Sequence, residues 1–332
     1  MRGAGSAKRV AAIMVWVLTA WTLSAAAAPA GVLQKAHDLV EWGRWKQARQ
    51  LVADAVAQPE NKDKAVLWAY YGHLQAEFDE LKSADELTRK AVKMDPNCAA
   101  CHLYRFEALA RRAETMNQFR ALLQLHGIKK ELEAAERLDP SLADVQWGWI
   151  RLDLTLPAAV GGSTGDAYKH ADRLAQLDPV DGHLARAAIA QDSKDATREL
   201  NEVRAAAHDY PQDPRGVFAF GKTLYLRHDF AGAADPLARA WDLNHQSALY
   251  AAYHAANLVQ LRQPQAARAV LDAADQIHPD SRLGDFLTAQ ALLATEQDPA
   301  WAHTLLQAYL AVPTEPTQPT AAEARQLLNP KP

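Results

Sequence analysis

Residues 68–96 read WAYYGHLQAEFDELKSADELTRKAVKMDP, and this stretch decides the fold. Counting back 5, 12 and 24 positions from Pro96 leads to Ala91, Ala84 and Gly72. Two antiparallel helices approach closely only where the side chains at their crossing are small, and a proline ends the second helix because it cannot continue it. The stretch therefore predicts a pair of helices that cross closely and stop near Pro96.

The phrase that closes this stretch returns along the chain. Its copies are KMDP, RLDP, QLDP, HDYP, DLNH, QIHP and LAVP, ending at Pro96, Pro140, Pro179, Pro211, His245, Pro279 and Pro313. The first two intervals are longer than the rest, and the last three are identical. Small residues recur at the same offsets, as at Ala240, Ala233 and Gly221. The repeated interval equals the period of about 34 residues that is typical of a repeat built from helical pairs.

The pattern resembles the tetratricopeptide repeat (TPR) family, whose signature residues are matched best at Trp68, Gly72, Ala84, Ala91 and Pro96. The resemblance covers residues 33–313 and implies an all-α, right-handed α-solenoid of about eight helix pairs. Two copies are lengthened. The first insertion lies in residues 97–140, and the second includes Pro157 to Gly165 between its helices. These insertions are similar to those of a group of exported bacterial TPR proteins.

The N-terminus has the features of a secretory signal. Arg2, Lys8 and Arg9 precede an uncharged apolar run from Val10 to Leu23, and small residues follow up to residue 30. We therefore divide the chain into a signal peptide at 1–30, a TPR-like solenoid at 31–313, and a proline-rich tail at 314–332 with a short helix at 321–328. The alternative for the first segment is an uncleaved membrane anchor, because residues 10–28 are just long enough to span a bilayer.

The overall charge narrows the class of partner. Cleavage after residue 30 lowers the basic count from 36 to 33 against 40 acidic residues, which gives a mature charge of −7. Nucleic-acid binding needs a basic surface, so we expect no nucleic-acid partner. No later segment is apolar enough to span a membrane, and we expect a periplasmic or secreted protein.

Cys98, Cys101 and His102 form a CxxCH motif, the attachment signature of c-type haem. The motif occurs once, at the start of a repeat helix, and no second axial ligand is evident. A local disulfide between the two cysteines is favoured, because an oxidising compartment permits it and the sequence has no other cysteine. A haem-carrying protein that uses Cys98, Cys101 and His102 remains the alternative.

Other motifs give weaker indications of chemistry. Residues 161–165, GGSTG, match the G-x-S-x-G nucleophile elbow, which requires a strand before it. Ser163 is better interpreted as a helix N-cap, with Asp166 placed to complete a capping box. The twelve histidines form no metal-ligand pattern. We therefore expect no catalytic residue, no metal and no cofactor.

In the TPR family, the first helix of each pair (helix A) lines a groove that binds peptides, helices or ligands. By position, this resemblance places five side chains towards a partner groove: Trp147, Phe218, Lys222, Tyr225 and Phe286. The alternative is that they pack against neighbouring helices. The hypothesis from the sequence is a non-catalytic scaffold or adaptor that binds another protein. A ligand-handling TPR subunit of a periplasmic transport system is a second hypothesis.

The signal assignment generates a test. We expect the mature protein to begin between Ala26 and Val32, because the small residues follow directly on the apolar run. N-terminal sequencing of the protein from its native host measures this directly. Recovery of Met1 or Arg2 on membrane-bound protein would support the uncleaved anchor instead.

Overall fold

The computed structural model describes residues 30–329. The signal predicted for residues 1–30 lies outside this part except for its last residue. Of the described residues, 79% are helical and none forms a strand, so the prediction of an all-α solenoid of helical pairs is confirmed. Residues 30–310 form sixteen α-helices, which make eight consecutive A/B pairs.

The first four pairs belong to an N-terminal unit, residues 30–40 and 45–178. Its helices are α1 (Ala30–Glu41), α2 (Trp45–Ala57), α3 (Ala65–Glu77), α4 (Leu81–Met94), α5 (Ala99–Glu114), α6 (Gln118–Leu138), α7 (Ala143–Thr155) and α8 (Thr164–Leu177). Odd-numbered helices are the A helices. One part of the core of this unit is formed by apolar residues of α5, α6 and α7, among them Phe106, Leu132 and Val145.

The C-terminal unit comprises residues 41–44 and 179–329. Its helices are α9 (Pro179–Asp192), α10 (Ala196–Asp209), α11 (Pro214–Leu226), α12 (Phe230–Leu243), α13 (Ala248–Gln260), α14 (Pro264–Ile277), α15 (Leu283–Ala294), α16 (Pro299–Leu310) and α17 (Ala321–Leu328). The tail helix α17 begins with a complete capping box between Thr320 and Glu323. A hydrogen bond from the Tyr309 hydroxyl to the backbone carbonyl of Pro319 holds the tail against α16.

Close A/B crossings occur where the sequence has small residues. A Cβ atom on Gly72 would lie 2.6 Å from Cγ2 of Thr88 on the partner helix, and one on Gly221 would lie 2.9 Å from Cγ of Leu237. The alanine of the B helix in the sixth pair, Ala240, has no exposed surface. These distances leave no room for a larger side chain, which confirms the register of the repeat.

The recurrent phrase marks the end of every B helix from α4 to α16, as expected. Helices α4, α6, α8, α10 and α14 each end two residues before the proline of their copy. Many helix starts are defined by side-chain caps; Asn117, Asp195, Asp229 and Ser247 each accept a hydrogen bond from a backbone N–H of the first turn. Caps of this kind satisfy donors that the helix itself leaves unpaired.

The two insertions have different structures. In the first, α5 and α6 are lengthened to 16 and 21 residues. In the second, Pro157 follows the end of α7, and Ser163 caps α8 by accepting from the Asp166 N–H at 3.1 Å. The prediction of a complete capping box is wrong, because the Asp166 side chain does not accept from the Ser163 N–H. The Ser163 N–H donates to the Asp153 carbonyl, and the Asp166 carboxylate pairs with Lys169 instead. Helices flank Ser163 on both sides, so the G-x-S-x-G match is not a nucleophile elbow.

None of the helices formed by residues 30–329 combines the length and the apolar character needed to cross a bilayer.

The crossings predict the effect of a larger side chain. Ala240→Leu should lower the free energy of unfolding by roughly 1–3 kcal/mol, because the added atoms overpack a buried helix contact. Urea denaturation measures the change. Ala231→Leu is the matched control, since Ala231 lies on the same helix but is exposed; it should change stability by less than about 0.5 kcal/mol. Equal stability of the Ala240 variant and the parent would contradict the assigned register.

Candidate functional site

The five side chains that the sequence assigns to a groove lie in two different units. Trp147 is on α7 of the N-terminal unit; Phe218, Lys222 and Tyr225 are on α11, and Phe286 is on α15, of the C-terminal unit. Phe218, Lys222 and Phe286 are only 0%, 2% and 5% exposed, whereas Trp147 and Tyr225 are half-buried. Contact of these residues with a partner stays a prediction, and Trp147 and Tyr225 present the most surface for it.

Three of these residues meet around Tyr253 of α13. The Phe218 ring centroid lies 5.5 Å from that of Tyr253, and Tyr225 packs edge-on against Tyr253 at 5.5 Å. The ammonium of Lys222 lies 5.4 Å from the centre of the same ring, and burial lowers the pKa of Lys222 to about 8. Phe286 packs separately, against a tyrosine of α16 at 5.2 Å. Phe218, Lys222 and Tyr225 thus form an aromatic cluster with a buried amine.

The A helices of the N-terminal unit carry a second group of polar and aromatic residues, of which the sequence had singled out only Trp147. This polar ladder consists of His37 on α1, Tyr70 and His73 on α3, Tyr104 and Glu107 on α5, and Trp147 and Arg151 on α7. The His37 and Tyr70 rings are 4.4 Å apart, and the Tyr70 and Tyr104 rings are 5.1 Å apart. His73 Nδ1 lies 2.8 Å from Glu107 Oε2. The ladder therefore connects α1, α3 and α5 through tilted ring contacts and an ion pair.

Burial and neighbouring charges shift the pKa values of the ladder in opposite directions. Burial by itself would lower the pKa of His73, but the charge and hydrogen bond of Glu107, together with the charge of Glu77, outweigh burial and raise it above the usual value. Burial, together with the charge on His73, lowers the pKa of His37 to about 3. Burial raises the pKa of both Tyr70 and Tyr104 well above 10. His73 is therefore the histidine of the ladder that takes the proton.

Two hydrogen-bond donors on α7 have no acceptor among the residues that the structure describes. They are Nε1 of Trp147 and Nη2 of Arg151, and both atoms are shielded from solvent. The two residues are four positions apart, so they lie on one face of the helix. Buried donors are almost always paired in folded proteins. Because both atoms are shielded, an acceptor from outside the chain reaches them only if neighbouring side chains move aside.

The sequence did contain a signal for the ladder. Tyr70 and Tyr104 are separated by one full period of the repeat, and so are His73 and Glu107. In a stacked repeat, residues one period apart occupy equivalent positions on adjacent A helices. A search for polar residues at this spacing would have paired them. Their burial was not readable in the same way, because it depends on how tightly the A helices approach.

The CxxCH motif is a local disulfide in the structure. Cys98 and Cys101 are bonded to each other, as the sequence favoured, and Cys98 caps α5. His102 uses both ring nitrogens, with Nδ1 at 2.6 Å from Glu131 Oε2 and Nε2 at 3.0 Å from the Pro96 carbonyl oxygen. Haem attachment would need free sulfur atoms and a free imidazole nitrogen, so this arrangement does not fit the haem alternative.

No group of three or more His, Cys, Asp or Glu side chains within residues 30–329 is arranged to hold a metal ion.

Solved structures with the same architecture carry the TPR fold. The crystal structure of yeast Tom70 matches 92% of this chain with a TM-score of 0.60 and 16% identity, and the match spans 64% of the Tom70 chain. A TPR protein from Parabacteroides merdae has a TM-score of 0.45 over 79% of this chain and 98% of its own, at 12% identity. The Cut9-Hcn1 hetero-tetramer of the APC/C has a TM-score of 0.47 over 91% of this chain and 55% of that chain, at 16% identity.

This chain thus spans less than two thirds of the Tom70 chain. No protein-family model and no curated protein matches the sequence. At so low an identity, the likeness to Tom70 shows the fold.

The raised pKa of His73 makes stability depend on pH. A histidine whose pKa is higher in the folded state stabilises the fold fully below its unfolded pKa of about 6.5, and the contribution is lost as pH rises through the folded value. Glu107→Gln should therefore lower the free energy of unfolding by about 1–3 kcal/mol near pH 6. The difference from the parent should shrink at alkaline pH.

Urea denaturation over a pH series measures this difference. Glu133→Gln is the control, because it removes an exposed carboxylate of α6 and should leave the profile unchanged. A difference between the Glu107 variant and the parent that stays constant with pH would contradict the assignment of His73 as the charged partner.

Proposed function

We propose that this protein is a non-catalytic scaffold of the bacterial periplasm that binds another protein on the A-helix face of its N-terminal unit. A helical-pair solenoid is suited to this role, because its A helices present side chains from successive repeats along one continuous surface. The likeness to the TPR fold of Tom70 supports the architecture on which the proposal rests.

The observation that carries the proposal is the pair of unpaired donors on α7. Nε1 of Trp147 and Nη2 of Arg151 lie on one helix face without an acceptor in the described chain. Leaving such donors unpaired is unfavourable, so a partner's acceptor that reaches them once neighbouring side chains move aside would stabilise the complex. A segment of a partner protein offers carbonyl and carboxylate oxygens as acceptors. The half-buried indole of Trp147 adds the aromatic surface typical of interface anchors.

The neighbouring ladder gives this surface a fixed shape. His73 and Glu107 form an ion pair with side chains only 9% and 15% exposed, and the Tyr70 and Tyr104 rings are packed beneath it. Buried polar groups are a costly way to join repeats, since apolar residues would do so with less desolvation. Their presence at the A-helix face is consistent with selection for binding.

The periplasmic part of the proposal rests on the N-terminal sequence. A basic start, an apolar run and a tail of small residues precede the solenoid. The disulfide between Cys98 and Cys101 is consistent with an oxidising compartment. The acidic mature charge supports a protein partner over nucleic acid.

Site-specific photo-crosslinking in the native host tests the proposed surface. A benzophenone amino acid at position 147 should form a covalent adduct with a discrete protein. The same group at Glu86, which is exposed on B helix α4 of the same unit, is the matched control and should form none. Adducts of equal yield at both positions, or none at position 147, would overturn the proposal.

A conservative variant then tests the role of the indole N–H. Trp147→Phe keeps an aromatic ring and removes the donor. It should weaken binding of the crosslinked partner about tenfold, which corresponds to the free energy of one hydrogen bond, about 1.4 kcal/mol. Titration of the purified partner by calorimetry measures this. Unchanged affinity would show that the N–H stays unpaired in the complex.

A further inference from the structure

The N-terminal end of α6 exposes an apolar face that does not contribute to the core. Phe119 and Leu123 are 72% and 65% exposed, and Leu122 between them is 37% exposed. We call these three residues the α6 ridge. Four further large apolar residues are exposed in the described chain, and they are dispersed over other helices and turns. The ridge is thus the one place in residues 30–329 where such residues are consecutive along a helix face.

The ridge lies on an addition to the repeat. Helix α6 has 21 residues, whereas the other B helices have 12 to 14. No residue of segment 118–127 is buried, and the first buried residue of the helix is Ile128. The two extra turns therefore exceed what the packing of α6 in its own pair requires.

Helical geometry places the ridge opposite the core face. At about 100° per residue, Phe119, Leu122 and Leu123 share one side of α6, and Ile128 and Leu132 project from the other. Ile128 and Leu132 are the buried members of the core cluster, at 4% and 0% exposure. The lengthened helix is thus apolar on two faces, and its outer face has no neighbour in the described chain. A spacing of i, i+3 and i+4 is that of ridges that pack against another helix.

The charge around the ridge is positive. Residues 115–130 contain no carboxylate, and they include Arg120, Lys129 and Lys130. Lys130 lies on the same face as the ridge, three turns after Phe119, and Arg120 lies at its edge; the first carboxylate on this face is Glu133, one turn beyond Lys130. The chain as a whole carries −4. An occupant that covers the ridge between Arg120 and Lys130 therefore combines apolar side chains with negative charge.

We propose that the α6 ridge is a second docking surface, which binds an amphipathic helix of a partner protein with acidic residues beside its apolar stripe. A second copy of this chain would bring the same basic residues to the contact, and the like charges would repel. An anionic membrane is disfavoured because the acidic remainder of the protein is repelled by anionic lipid. The surface is distinct from the polar ladder, so it does not depend on the function proposed above.

Fluorescence anisotropy with defined peptides tests the proposal. The probe is a labelled synthetic helix with leucines at i, i+3, i+4 and i+7 and glutamates on either side of them. The comparison peptide has lysine in place of every glutamate. The acidic peptide should bind the full-length mature protein at least tenfold more tightly than the basic one. Equal binding of the two peptides would overturn the charge part of the proposal, and no binding of either would overturn it entirely.

Two variants assign the binding to the ridge. Phe119→Ser with Leu123→Ser should weaken binding of the acidic peptide at least tenfold, and the melting temperature should stay within a few degrees of the parent because both side chains are exposed. Leu226→Ser removes a leucine that is 51% exposed on α11 and should leave binding unchanged. Arg120→Glu with Lys130→Glu should reverse the preference to the basic peptide.

The other occupants are tested with the same proteins. In flotation with vesicles of phosphatidylcholine and phosphatidylglycerol, the parent and the Phe119/Leu123 double variant should behave alike. If the parent binds vesicles but not the peptide, and the double variant does not bind vesicles, the proposal is overturned in favour of a membrane. Sedimentation over a range of protein concentration should show no self-association that the ridge variant abolishes. Ridge-dependent dimerisation would overturn it in favour of a second copy.

Discussion

The structure depends on the close crossing of two helices within each repeat. At Gly72 and Gly221 the partner helix lies so near that a Cβ atom would meet a side chain at 2.6 and 2.9 Å. Alanines such as Ala84, Ala91 and Ala240 occupy the matching positions on the B helices without exposed surface. Because the pairs close in this way, each A helix of a unit meets the next at a repeated spacing. Residues one period apart then become neighbours, and this is what makes a ladder of side chains possible.

The A-helix face of the N-terminal unit shows what such neighbours can do. His73 and Glu107 meet at 2.8 Å because equivalent positions of α3 and α5 are stacked. The same stacking brings Tyr70 to Tyr104. The electrostatic state follows from the pairing: Glu107 raises the pKa of one histidine, and burial lowers that of His37. On α7 the series ends in Trp147 and Arg151, whose buried donors lack an acceptor in the described chain. This end of the ladder is where we propose that a partner binds.

The two insertions differ from the regular repeats in what determines their residues. In the regular repeats, packing between helices accounts for most residues. The lengthened helix α6 is free of that constraint over its first two turns, where no residue is buried. Its outward apolar face and basic surroundings are therefore not explained by the stability of the solenoid. In contrast, the loop before α8 is accounted for by local structure, since Ser163 caps the helix and Asp166 pairs with Lys169.

The sequence by itself determined the fold class, the period of the repeat and the ends of the B helices. These are local properties: small residues at a crossing, and a proline that stops a helix, act within one pair and can be read from spacing. It also favoured the Cys98–Cys101 disulfide, because the sequence has no other cysteine and the predicted export leads to an oxidising compartment. Only the tertiary structure decided which groove residues are accessible. Phe218, Lys222 and Phe286 proved to be buried, and Trp147 and Tyr225 half-buried, because exposure depends on how neighbouring A helices pack. The tertiary structure also decided the ion pair of His73 with Glu107 and the unpaired donors of α7. Both depend on distances between helices, which no single repeat specifies.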